Sequence, residues 1–515
     1  MDRLSGGTFD VLVIGGGING AVTAAALAAR GISVAMVERS DFASFTSQES
    51  SNLIWGGFKY LENYELKLVW DLCTSRNEML KSYPSRIKEI DFLATLDKTA
   101  PFPLALAALG SVGYWGIGRF ATKSPRVYSA KGIEKTEPIV NTTTAKGGIR
   151  YADAYLPDND ARFVWGYVRT ALDHGATAVN YCSVIDAERD GERWKATVRD
   201  EIGQTTHQVS ARAVVNAAGP FVDGLNQRID LETEHRIVYS KGIHLVVPKL
   251  SESDRVLAFF DDTGRLFYVI PMAHRSVIGT TDTRTENPNE GVLDEDRDFL
   301  IEQINARLDL DQPLTRADII SERCGVRPLV VKNDGNDRTD VDWTTLSRKH
   351  EIEADSAQRV ITIFGGKITD CLNVGDEVAE ELEDFGIRGT KDPGDWFGEP
   401  GAVEWEGFLS AATAVGLDRA PEVEVADTMA EVIWRRHGRA SHQVITMIRE
   451  DPAMGEPVLA NSDLLRAELH VMAEREMIVR PDDFLRRRTK LALITRGDDL
   501  GADPGMAEVN ATFGF

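Results

Sequence analysis

Three glycines near the N-terminus, Gly15, Gly17 and Gly20, have the spacing of a loop that holds phosphate groups. In such a loop the first glycine permits a tight turn, and the second lets the backbone approach a pyrophosphate. The third lets the following helix pack closely on the preceding strand, so that the helix N-terminus faces the phosphates. The spacing therefore predicts binding of a dinucleotide, although a glycine-rich turn without a ligand would look the same.

The segments around these glycines predict a complete β-α-β unit. Residues 9–14 form an apolar run of strand length, and an alanine-rich helical run follows the glycines as far as Arg30. A second strand over residues 33–37 ends on Glu38, at the distance where a carboxylate binds the hydroxyls of an adenosine ribose. The whole unit favours a dinucleotide site over a bare turn, but it does not separate FAD from NAD.

Three further segments favour the longer cofactor, FAD. The loop at residues 46–51 is rich in hydroxyls that can bond phosphate and ribityl oxygens. Apolar strands end in small residues at 216–220 and in a Gly-Gly-Lys turn at 365–367, where a backbone can approach a ligand. Taken singly, the first segment could be an ordinary polar loop, and each of the other two could be a turn after a strand with no ligand. Glycine turns spread along the chain suit a cofactor as long as FAD.

The order of these motifs resembles one family of flavoproteins along nearly the whole chain. The Gly-Gly-Gly-Ile-Asn-Gly-Ala segment and the later Trp-Gly-Gly-Phe-Lys-Tyr segment are similar to those of the FAD-dependent glycerol-3-phosphate dehydrogenases. These enzymes belong to the D-amino-acid-oxidase-like flavoproteins. The matching segments lie at residues 15–21, 53–62, 215–223, 240–248, 278–282, 325–329, 364–367 and 482–491.

The resemblance implies that FAD is the cofactor and that its contacts come from all three glycine turns. In the related enzymes the backbone at the position of Val184 contacts the adenine. The residues that the resemblance places at the cofactor are Gly15, Gly17, Ile18, Asn19, Gly20, Glu38, Arg39, Thr46, Ser47, Ser51, Leu53, Val184, Ala218, Gly219, Gly366 and Lys367.

The resemblance also implies a pocket in which a small hydroxy compound is oxidised by hydride transfer to the flavin N5. His244 is the natural general base, because the reference pKa of histidine lies near neutrality. Arg327 would hold the substrate oxygen or stabilise its alkoxide character, and Lys367 would face either the substrate or the flavin pyrimidine. The groups implied to bind the anionic end of the substrate are Lys59, Tyr60, Thr280 and Arg348.

The chain departs from the family pattern at three places in this pocket. Lys59 stands where the family has arginine. A guanidinium can donate two parallel hydrogen bonds to a phosphate, whereas an ammonium group acts as a point charge. Trp55 replaces a histidine, and the stretch from Asp370 to Leu372 replaces Thr-Tyr-Arg. These departures bear on the phosphorylated substrate rather than on the flavin chemistry.

The predicted fold class is α/β, with a Rossmann-type FAD-binding domain, a substrate domain on an antiparallel sheet and a C-terminal helical domain. The FAD-binding domain is expected to be discontinuous, over residues 1–63, 149–231 and 348–386. The substrate domain would take residues 64–148 and 232–347, and the helical domain residues 390–515. Alternation predicts antiparallel strands at 237–248, 265–271 and 277–282, and Asp158 is the expected cap of a helix over 158–174.

Composition limits the partners of the protein. A formal net charge of −23 over 515 residues argues against nucleic acid, because phosphates would be repelled. The four cysteines are scattered without a Cys-x-x-Cys pair, which indicates a reducing compartment and no metal site. No signal peptide is recognisable, so a cytoplasmic location is expected.

One uncharged segment, residues 99–118, approaches the length of a membrane span. Its prolines at 101 and 103 and its glycines between 110 and 118 are unfavourable for a continuous helix, so a buried or interfacial segment is predicted. Respiratory members of the family sit on the inner face of the membrane and pass electrons to a quinone. Apolar residues such as Phe102 and Trp115 predict weak peripheral attachment, and burial within the substrate domain is the alternative. Arg119, Lys123 and Arg126 follow the segment. A second basic cluster could also meet anionic lipids, at Arg486, Arg487, Arg488 and Lys490.

The leading prediction for function is FAD-dependent oxidation of sn-glycerol 3-phosphate to dihydroxyacetone phosphate, with electrons passed to a quinone or another acceptor. A related flavin dehydrogenase or oxidase for another 2-hydroxy acid or amino acid is the alternative, motivated by Lys59 and Asp370. A non-catalytic FAD-binding protein is a third class, and the retained polar pocket residues argue against it.

Overall fold

The computed structural model of the chain describes residues 1–98, 100–261, 263–333, 349–423 and 427–515. Within these ranges the chain forms an eight-stranded sheet, a ten-stranded sheet and a C-terminal group of helices. The predicted fold class is therefore confirmed.

The eight-stranded sheet contains the N-terminal β-α-β unit. Its strands are β1 (Thr8–Ile14), β2 (Val34–Val37), β7 (Thr177–Val179), β8 (Cys182–Asp190), β9 (Arg193–Asp200), β10 (Thr206–Asn216), β17 (Glu351–Asp355) and β18 (Val360–Phe364). The strands β18, β10, β1, β2 and β7 are neighbours in this order and run parallel. Their carboxyl ends therefore lie along one edge of the sheet, where ligands bind in open α/β folds.

Burial explains why the β-α-β unit forms. Helix α1 (Ile18–Ala29) is buried along its whole length and packs against α5 (Asp160–Asp173) and α8 (Cys371–Asp384). Its alanines let these neighbours approach closely. The cap of α5 is Asn159 rather than the expected Asp158, because the Asn159 side chain accepts a hydrogen bond from the Arg162 amide at 2.6 Å.

The ten-stranded sheet is antiparallel except for the parallel pair β4 and β12. The predicted antiparallel strands are confirmed as β11, β13 and β14. The strands are β3 (Leu53–Ile54), β4 (Lys88–Leu96), β5 (Arg126–Tyr128), β6 (Gly147–Tyr155), β11 (His235–Pro248), β12 (Val256–Phe260), β13 (Leu266–Met272), β14 (Arg275–Gly279), β15 (Thr283–Thr285) and β16 (Ser321–Lys332).

Two strands of this sheet lie in chain segments that were expected to belong to the FAD-binding domain. Strand β3 pairs with β6, and β6 pairs with β4. The chain returns to the eight-stranded sheet only after β6. Strands β3 and β6 therefore belong to the ten-stranded sheet, although they lie in or overlap the segments 1–63 and 149–231 that were expected to form the FAD-binding domain. The domain boundaries themselves stay a prediction.

Helices cover the second sheet and form the C-terminal region. The helices around the sheets are α2 (Leu66–Ser82), α3 (Leu104–Ile117), α4 (Ala130–Thr136), α6 (Val222–Arg228) and α7 (Asp294–Arg307). The C-terminal helices are α9 (Ala402–Thr413), α10 (Met429–His437), α11 (Ser441–Glu450), α12 (Arg466–Arg475), α13 (Leu491–Ile494), α14 (Gly497–Ala502) and α15 (Met506–Phe513).

The uncharged segment contains a continuous helix, α3, contrary to the sequence expectation. Its two prolines lie before the first helical residue, where a missing amide hydrogen costs no helical hydrogen bond. Its glycines are tolerated inside a helix of only 14 residues. The large apolar side chains Leu106, Leu109 and Val112 are more than half exposed. Among the described residues, no helix is long and apolar enough to cross a membrane.

The C-terminal basic cluster faces the protein interior, so the prediction that it meets lipids is wrong. Arg487 and Arg488 are buried in a π-helical turn, Asp483–Arg488, that docks on the FAD-binding region. The partners are Glu49 for Arg486, Asp41 for Arg487 and Arg488, and the Pro157 carbonyl for Lys490. These acidic partners are more than 400 positions away in the sequence, so local composition does not reveal them.

Candidate active site

The three glycine turns meet at the carboxyl ends of β1, β10 and β18. Gly15 has a φ of +111°, and a side chain on it would collide with the Ala217 carbonyl. The Ala217 amide donates to the Ile14 carbonyl at 2.9 Å. The Asn19 amide group donates to the Gly365 carbonyl at 2.9 Å. Turns that are 200 and 350 positions apart therefore form one continuous cradle.

Glu38 lies at the end of β2, beside the first glycine turn. Its carboxylate accepts hydrogen bonds from the Gly16 amide at 2.7 Å and the Ser40 amide at 2.9 Å. Burial raises the pKa of Glu38, although these two amides act in the opposite direction. The Ile18 amide at the N-terminus of α1 donates to the Ser47 hydroxyl at 3.0 Å, so the predicted loop lies over the helix end.

Arg39 is stacked between two aromatic rings at this edge. Its guanidinium carbon lies 3.8 Å from the centre of the Phe221 ring and 4.5 Å from that of Phe45. Phe221 follows the Ala218-Gly219 turn, in which Gly219 has a φ of +57°. The stack therefore joins the ends of β2 and β10 through contacts of the cation–π type.

The remaining predicted cofactor residues are spread around this cradle. Thr46 donates to the Val326 carbonyl at 2.7 Å, which ties the hydroxyl-rich loop to the second sheet. Leu53 lies in β3, and Val184 lies in β8 with its carbonyl bound to Arg228. The Ala218 amide donates to Asn216 at 3.1 Å.

The cradle fits a long dinucleotide such as FAD. Two polar atoms in it are buried without a hydrogen-bond partner among the described residues, Asn19 Oδ1 and Lys367 Nζ. Gly365 and Gly366 have positive φ angles, which keep the backbone open beside Asn19. Polar groups of this kind are available to the phosphates, the ribityl chain and the polar edge of a flavin.

His244 lies in β11 and is 1% exposed. Its Nε2 is 2.8 Å from the Ser51 hydroxyl, so this predicted cofactor residue lies at the histidine. Its Nδ1 has no hydrogen-bond partner within the described parts of the chain. Burial, followed by the positive charges of Arg323 and Arg327, lowers the pKa of His244 well below its ordinary value of 6.5. The ring is therefore neutral near pH 7 and can accept a proton.

Arg327 is brought to the same site from β16. Its Nη2 donates to the Thr280 hydroxyl at 2.8 Å, and its Nη1 is 3.5 Å from Asp282. A side chain at Gly242 would collide with the Arg327 guanidinium, so glycine at this position leaves the room that the arginine fills. The predicted residues His244, Arg327 and Thr280 therefore form one group on the second sheet.

A second group contains Lys367 and the turn at residues 58–63. The Lys367 ammonium lies 4.3 Å from the centre of the Tyr60 ring, and Trp55 packs against Tyr60 at 5.6 Å. Lys59 lies beside Tyr60 in the same turn. The segment from Ser51 to Trp55 links this group to His244. Arg348 lies outside the described residues.

Asp370, which motivated the alternative substrate, is bound to residues outside these two groups. Its carboxylate is 6% exposed and lies 2.9 Å from His350 Nδ1. Asn373 and Ser75 donate to it at 2.6 Å and 3.3 Å. The Asp370 carboxylate is therefore engaged by His350, Asn373 and Ser75.

Arg323 is a further buried charge near the site that the sequence analysis missed. It pairs with His244 across β11 and β16, and it donates to Asp160 at 2.7 Å and to the Gln48 carbonyl at 2.8 Å. Two-residue periodicity places Arg323 on the same face of β16 as Arg327, so alternation was a signal that could have found it. Arg323 fixes the loop that carries Ser51.

Comparison with known proteins identifies the class to which this fold and site belong. The family described as FAD dependent oxidoreductase matches residues 10–346. The family described as C-terminal domain of alpha-glycerophosphate oxidase matches residues 400–512. The chain belongs to the FAD-dependent oxidoreductases, and it is an enzyme with FAD as its cofactor.

Relatives within this family carry one name repeatedly. The chain is 32% identical over 505 residues to the aerobic glycerol-3-phosphate dehydrogenase of Bacillus subtilis (strain 168), covering 94% of this chain and 87% of the relative. It is 30% identical over 500 residues to the enzyme of the same name from Staphylococcus haemolyticus (strain JCSC1435), covering 93% and 86%. The family resemblance predicted from the motifs is therefore confirmed.

Solved structures share the fold at lower identity. The glycerol-3-phosphate dehydrogenase from Bacillus halodurans complexed with FAD has a TM-score of 0.75 and 23% identity, covering 99% of this chain and 92% of that one. The L-alpha-glycerophosphate oxidase from Mycoplasma pneumoniae with FAD bound has a TM-score of 0.58 and 17% identity, covering 76% and 98%. The first of these covers the C-terminal helices as well as both sheets.

Proposed function

We propose that the enzyme oxidises sn-glycerol 3-phosphate to dihydroxyacetone phosphate at the group formed by His244, Arg327 and Thr280. The observation that carries this proposal is a buried histidine beside an arginine, together with the second group in which a lysine lies over a tyrosine ring. Relatives over 93–94% of the chain carry the name glycerol-3-phosphate dehydrogenase, which supports the substrate.

His244 acts as the general base. Bound FAD supplies the two-electron oxidant, so the protein must remove one proton from the substrate hydroxyl. The lowered pKa of His244 keeps its ring unprotonated, and the hydrogen bond to Ser51 fixes the ring plane. Arg327 holds the substrate oxygen and stabilises its developing negative charge.

Positive charge on the other side of the pocket binds the phosphate. Lys59 and Lys367 supply ammonium groups, and Tyr60 supplies a hydroxyl. Lysine at position 59 gives a point charge rather than a bidentate fork, so it attracts an anion without fixing its orientation. The proposal of a phosphorylated substrate gains support from Asp370, whose carboxylate is paired with His350.

Anaerobic flavin reduction tests the substrate. Glycerol 3-phosphate should bleach the flavin in stopped-flow measurements, whereas glycerol should not, because it lacks the charged group. Lys59→Ala should raise KM for glycerol 3-phosphate more than it lowers kcat, because Lys59 contributes binding charge away from the reacting carbon. Lys59→Arg is the control and should keep KM near or below the wild-type value.

A different substrate class would give a different result. If glycerol 3-phosphate bleaches neither the wild type nor Lys59→Arg, the phosphate proposal is wrong. Bleaching by another 2-hydroxy acid or an amino acid in the same panel would then identify the alternative dehydrogenase or oxidase.

We also propose that the enzyme contacts the membrane through α3 and passes electrons to a quinone there. Leu109 is 70% exposed and Leu106 is 56% exposed on this helix, and Phe120 after it is 63% exposed. Phe102 and Trp115 are less suitable than the sequence suggested, because Phe102 packs on Phe260 and Trp115 donates to the Thr122 carbonyl. Basic residues at 119, 123 and 126 follow, which suits an anionic headgroup layer.

Vesicle flotation tests this contact. The wild type should float with vesicles that contain anionic lipid and should be released by salt. Leu106→Ser with Leu109→Ser should reduce flotation severalfold, because the apolar contact is removed. Ile202→Ser with Val403→Ser removes two exposed apolar side chains elsewhere and serves as the control. Equal flotation of both double variants would overturn the proposed surface.

A further inference from the structure

A cavity between the FAD-binding region and the C-terminal helices contains none of the residues placed in the active site. It lies between α5 on one side and α10 and α12 on the other. Its volume is about 160 Å³, which equals roughly five water molecules at ~30 Å³ each. The cavity therefore has room for a small ion or for one end of a small metabolite.

Arginine dominates the walls of this cavity. Three carboxylates line the cavity, those of Asp158, Asp173 and Glu476. Seven arginines line it, namely Arg86, Arg162, Arg169, Arg435, Arg436, Arg439 and Arg475. Five of the arginines have carboxylate partners, which are Glu476 for Arg162, Asp173 for Arg169, Asp427 for Arg435, Glu468 for Arg436 and Glu404 for Arg439. His437 also lines the cavity and lies between Glu468 and Glu476.

The other two arginines, Arg86 and Arg475, have no carboxylate partner in the described part of the chain. The Arg86 Nε donates to the Arg435 carbonyl at 3.1 Å, which leaves the two terminal nitrogens of Arg86 to face the cavity. Arg475 lies in the last turn of α12 and lines the same cavity. Two arginines without a carboxylate partner among the described residues, one before β4 and one in α12, therefore line one space.

Gly166 leaves room on α5 for the end of the Arg86 side chain. Glycine is unfavourable inside a helix such as α5. A Cβ at Gly166 would lie 2.8 Å from Arg86 Nη1, which is closer than such contacts allow. The glycine therefore makes the space in which the guanidinium lies.

We propose that this cavity binds a phosphate group, either as inorganic phosphate or on a small phosphorylated metabolite. A phosphate carries the charge that matches two unpaired guanidinium groups and accepts several of their hydrogen bonds. The chain as a whole carries a net charge of −23, so the excess of arginine over carboxylate in the cavity lining is opposite in sign to the charge of the whole molecule. Phosphate bound there bridges the two regions and stabilises their docked arrangement.

Calorimetric titration of the FAD-loaded enzyme with inorganic phosphate tests the site. The double variant Arg86→Gln with Arg475→Gln should bind phosphate at this site about tenfold more weakly or worse, because charge-assisted hydrogen bonds are lost. The control, Arg3→Gln with Arg449→Gln, removes two exposed arginines without ion-pair partners in the described structure and should bind as the wild type does. Ionic strength is held constant with sodium chloride, so that screening is the same throughout.

Phosphate that occupies the active site is measured separately, as competitive inhibition of turnover. The double variant should leave that inhibition constant and KM unchanged. Gly166→Ala keeps every charge but displaces Arg86, so it should also weaken phosphate binding in the calorimeter. If the double variant does not fold, Gly166→Ala decides the question.

The source of the phosphate is distinguished by a second titrant, glycerol 2-phosphate. Binding tighter than that of inorganic phosphate, with the same loss in the variants, identifies a phosphorylated metabolite as the ligand class. Binding equal to or weaker than that of inorganic phosphate identifies free phosphate. The proposal is overturned if neither titrant binds outside the active site, or if both variants bind phosphate as the wild type does.

Discussion

At the scale of single residues, the chemistry depends on how the protein holds His244 neutral. Burial removes the solvent that would stabilise the protonated ring, and Arg323 and Arg327 add two positive charges nearby. The same arginines are held by Asp160 and Asp282, so their charges stay in place. A base with a lowered pKa stays unprotonated over a wide pH range. Its driving force for taking the substrate proton is smaller than that of a base with a higher pKa.

Replacement of His244 by alanine should slow flavin reduction about 10²-fold or more, the usual scale for removal of a general base. The FAD content should stay at the wild-type level, because the cradle for FAD is formed mainly by other elements. Rapid mixing with substrate and measurement of the flavin absorbance give both values. Reduction at the wild-type rate would make His244 a structural residue.

The pH profile provides an independent check on the same residue. A base loses activity when it becomes protonated, so activity falls as the pH drops through the pKa of His244. Because that pKa lies below 6.5, the acid limb of kcat/KM should fall below pH 6.5. An acid limb centred at or above pH 7 would contradict the assignment.

At the scale of elements, His350 connects β17 to α8 through ion pairs. It precedes β17 and lies 2.9 Å from both Asp370, just before α8, and Glu377 within α8. Burial alone would lower the pKa of His350, but hydrogen bonds to Asp370 and Glu377 raise it to about 9. The protonated histidine therefore stabilises the folded chain at neutral pH.

His350→Gln should lower the unfolding temperature, and the loss should depend on pH. A pKa raised from 6.5 to about 9 gives stability that is fully present below pH 6.5 and disappears as the pH rises through 9. The difference in free energy of unfolding should be about 1–3 kcal/mol at pH 6, and it should shrink by pH 10. Thermal denaturation at the two pH values measures it, and a gap of constant size would contradict the pKa shift.

At the scale of the whole molecule, buried ion pairs fasten the C-terminal helices to the FAD-binding region. Arg488 donates to both oxygens of Asp41, at 2.8 and 2.9 Å, and both side chains of the pair are fully buried. Burial alone would raise the pKa of Asp41, but Arg488 and Arg487 lower it. Asn159 adds a bond to the Thr489 carbonyl at 2.6 Å.

Asp41→Asn should loosen this docking, because it leaves the buried Arg488 without a carboxylate and Arg487 with Asp483 alone. Removal of one partner from a buried ion pair costs about 3–5 kcal/mol. Limited proteolysis should cut the C-terminal region faster, and the unfolding transition should broaden or split. Asp10→Asn, which breaks the half-exposed pair with Arg212, is the control and should change little. Equal behaviour of the two variants would contradict the role given to Asp41.

The sequence by itself determined the features that depend on short-range pattern. Glycine spacing with flanking strand and helix signals located the β-α-β unit and its acidic end at Glu38. Alternation located β11, β13 and β14, and the order of motifs identified the flavoprotein family and its cofactor. These features are local, because strand periodicity and tight turns depend on neighbouring residues.

The tertiary structure decided which charges meet and which faces are open. It buried the basic cluster of residues 486–490, paired Asp370 with His350, and placed Ser51 at His244. It also left one face of α3 exposed, where the sequence predicted no continuous helix. Each of these outcomes depends on contacts between residues far apart in the chain, and burial then sets the strength of each charge, so no local pattern carries the information.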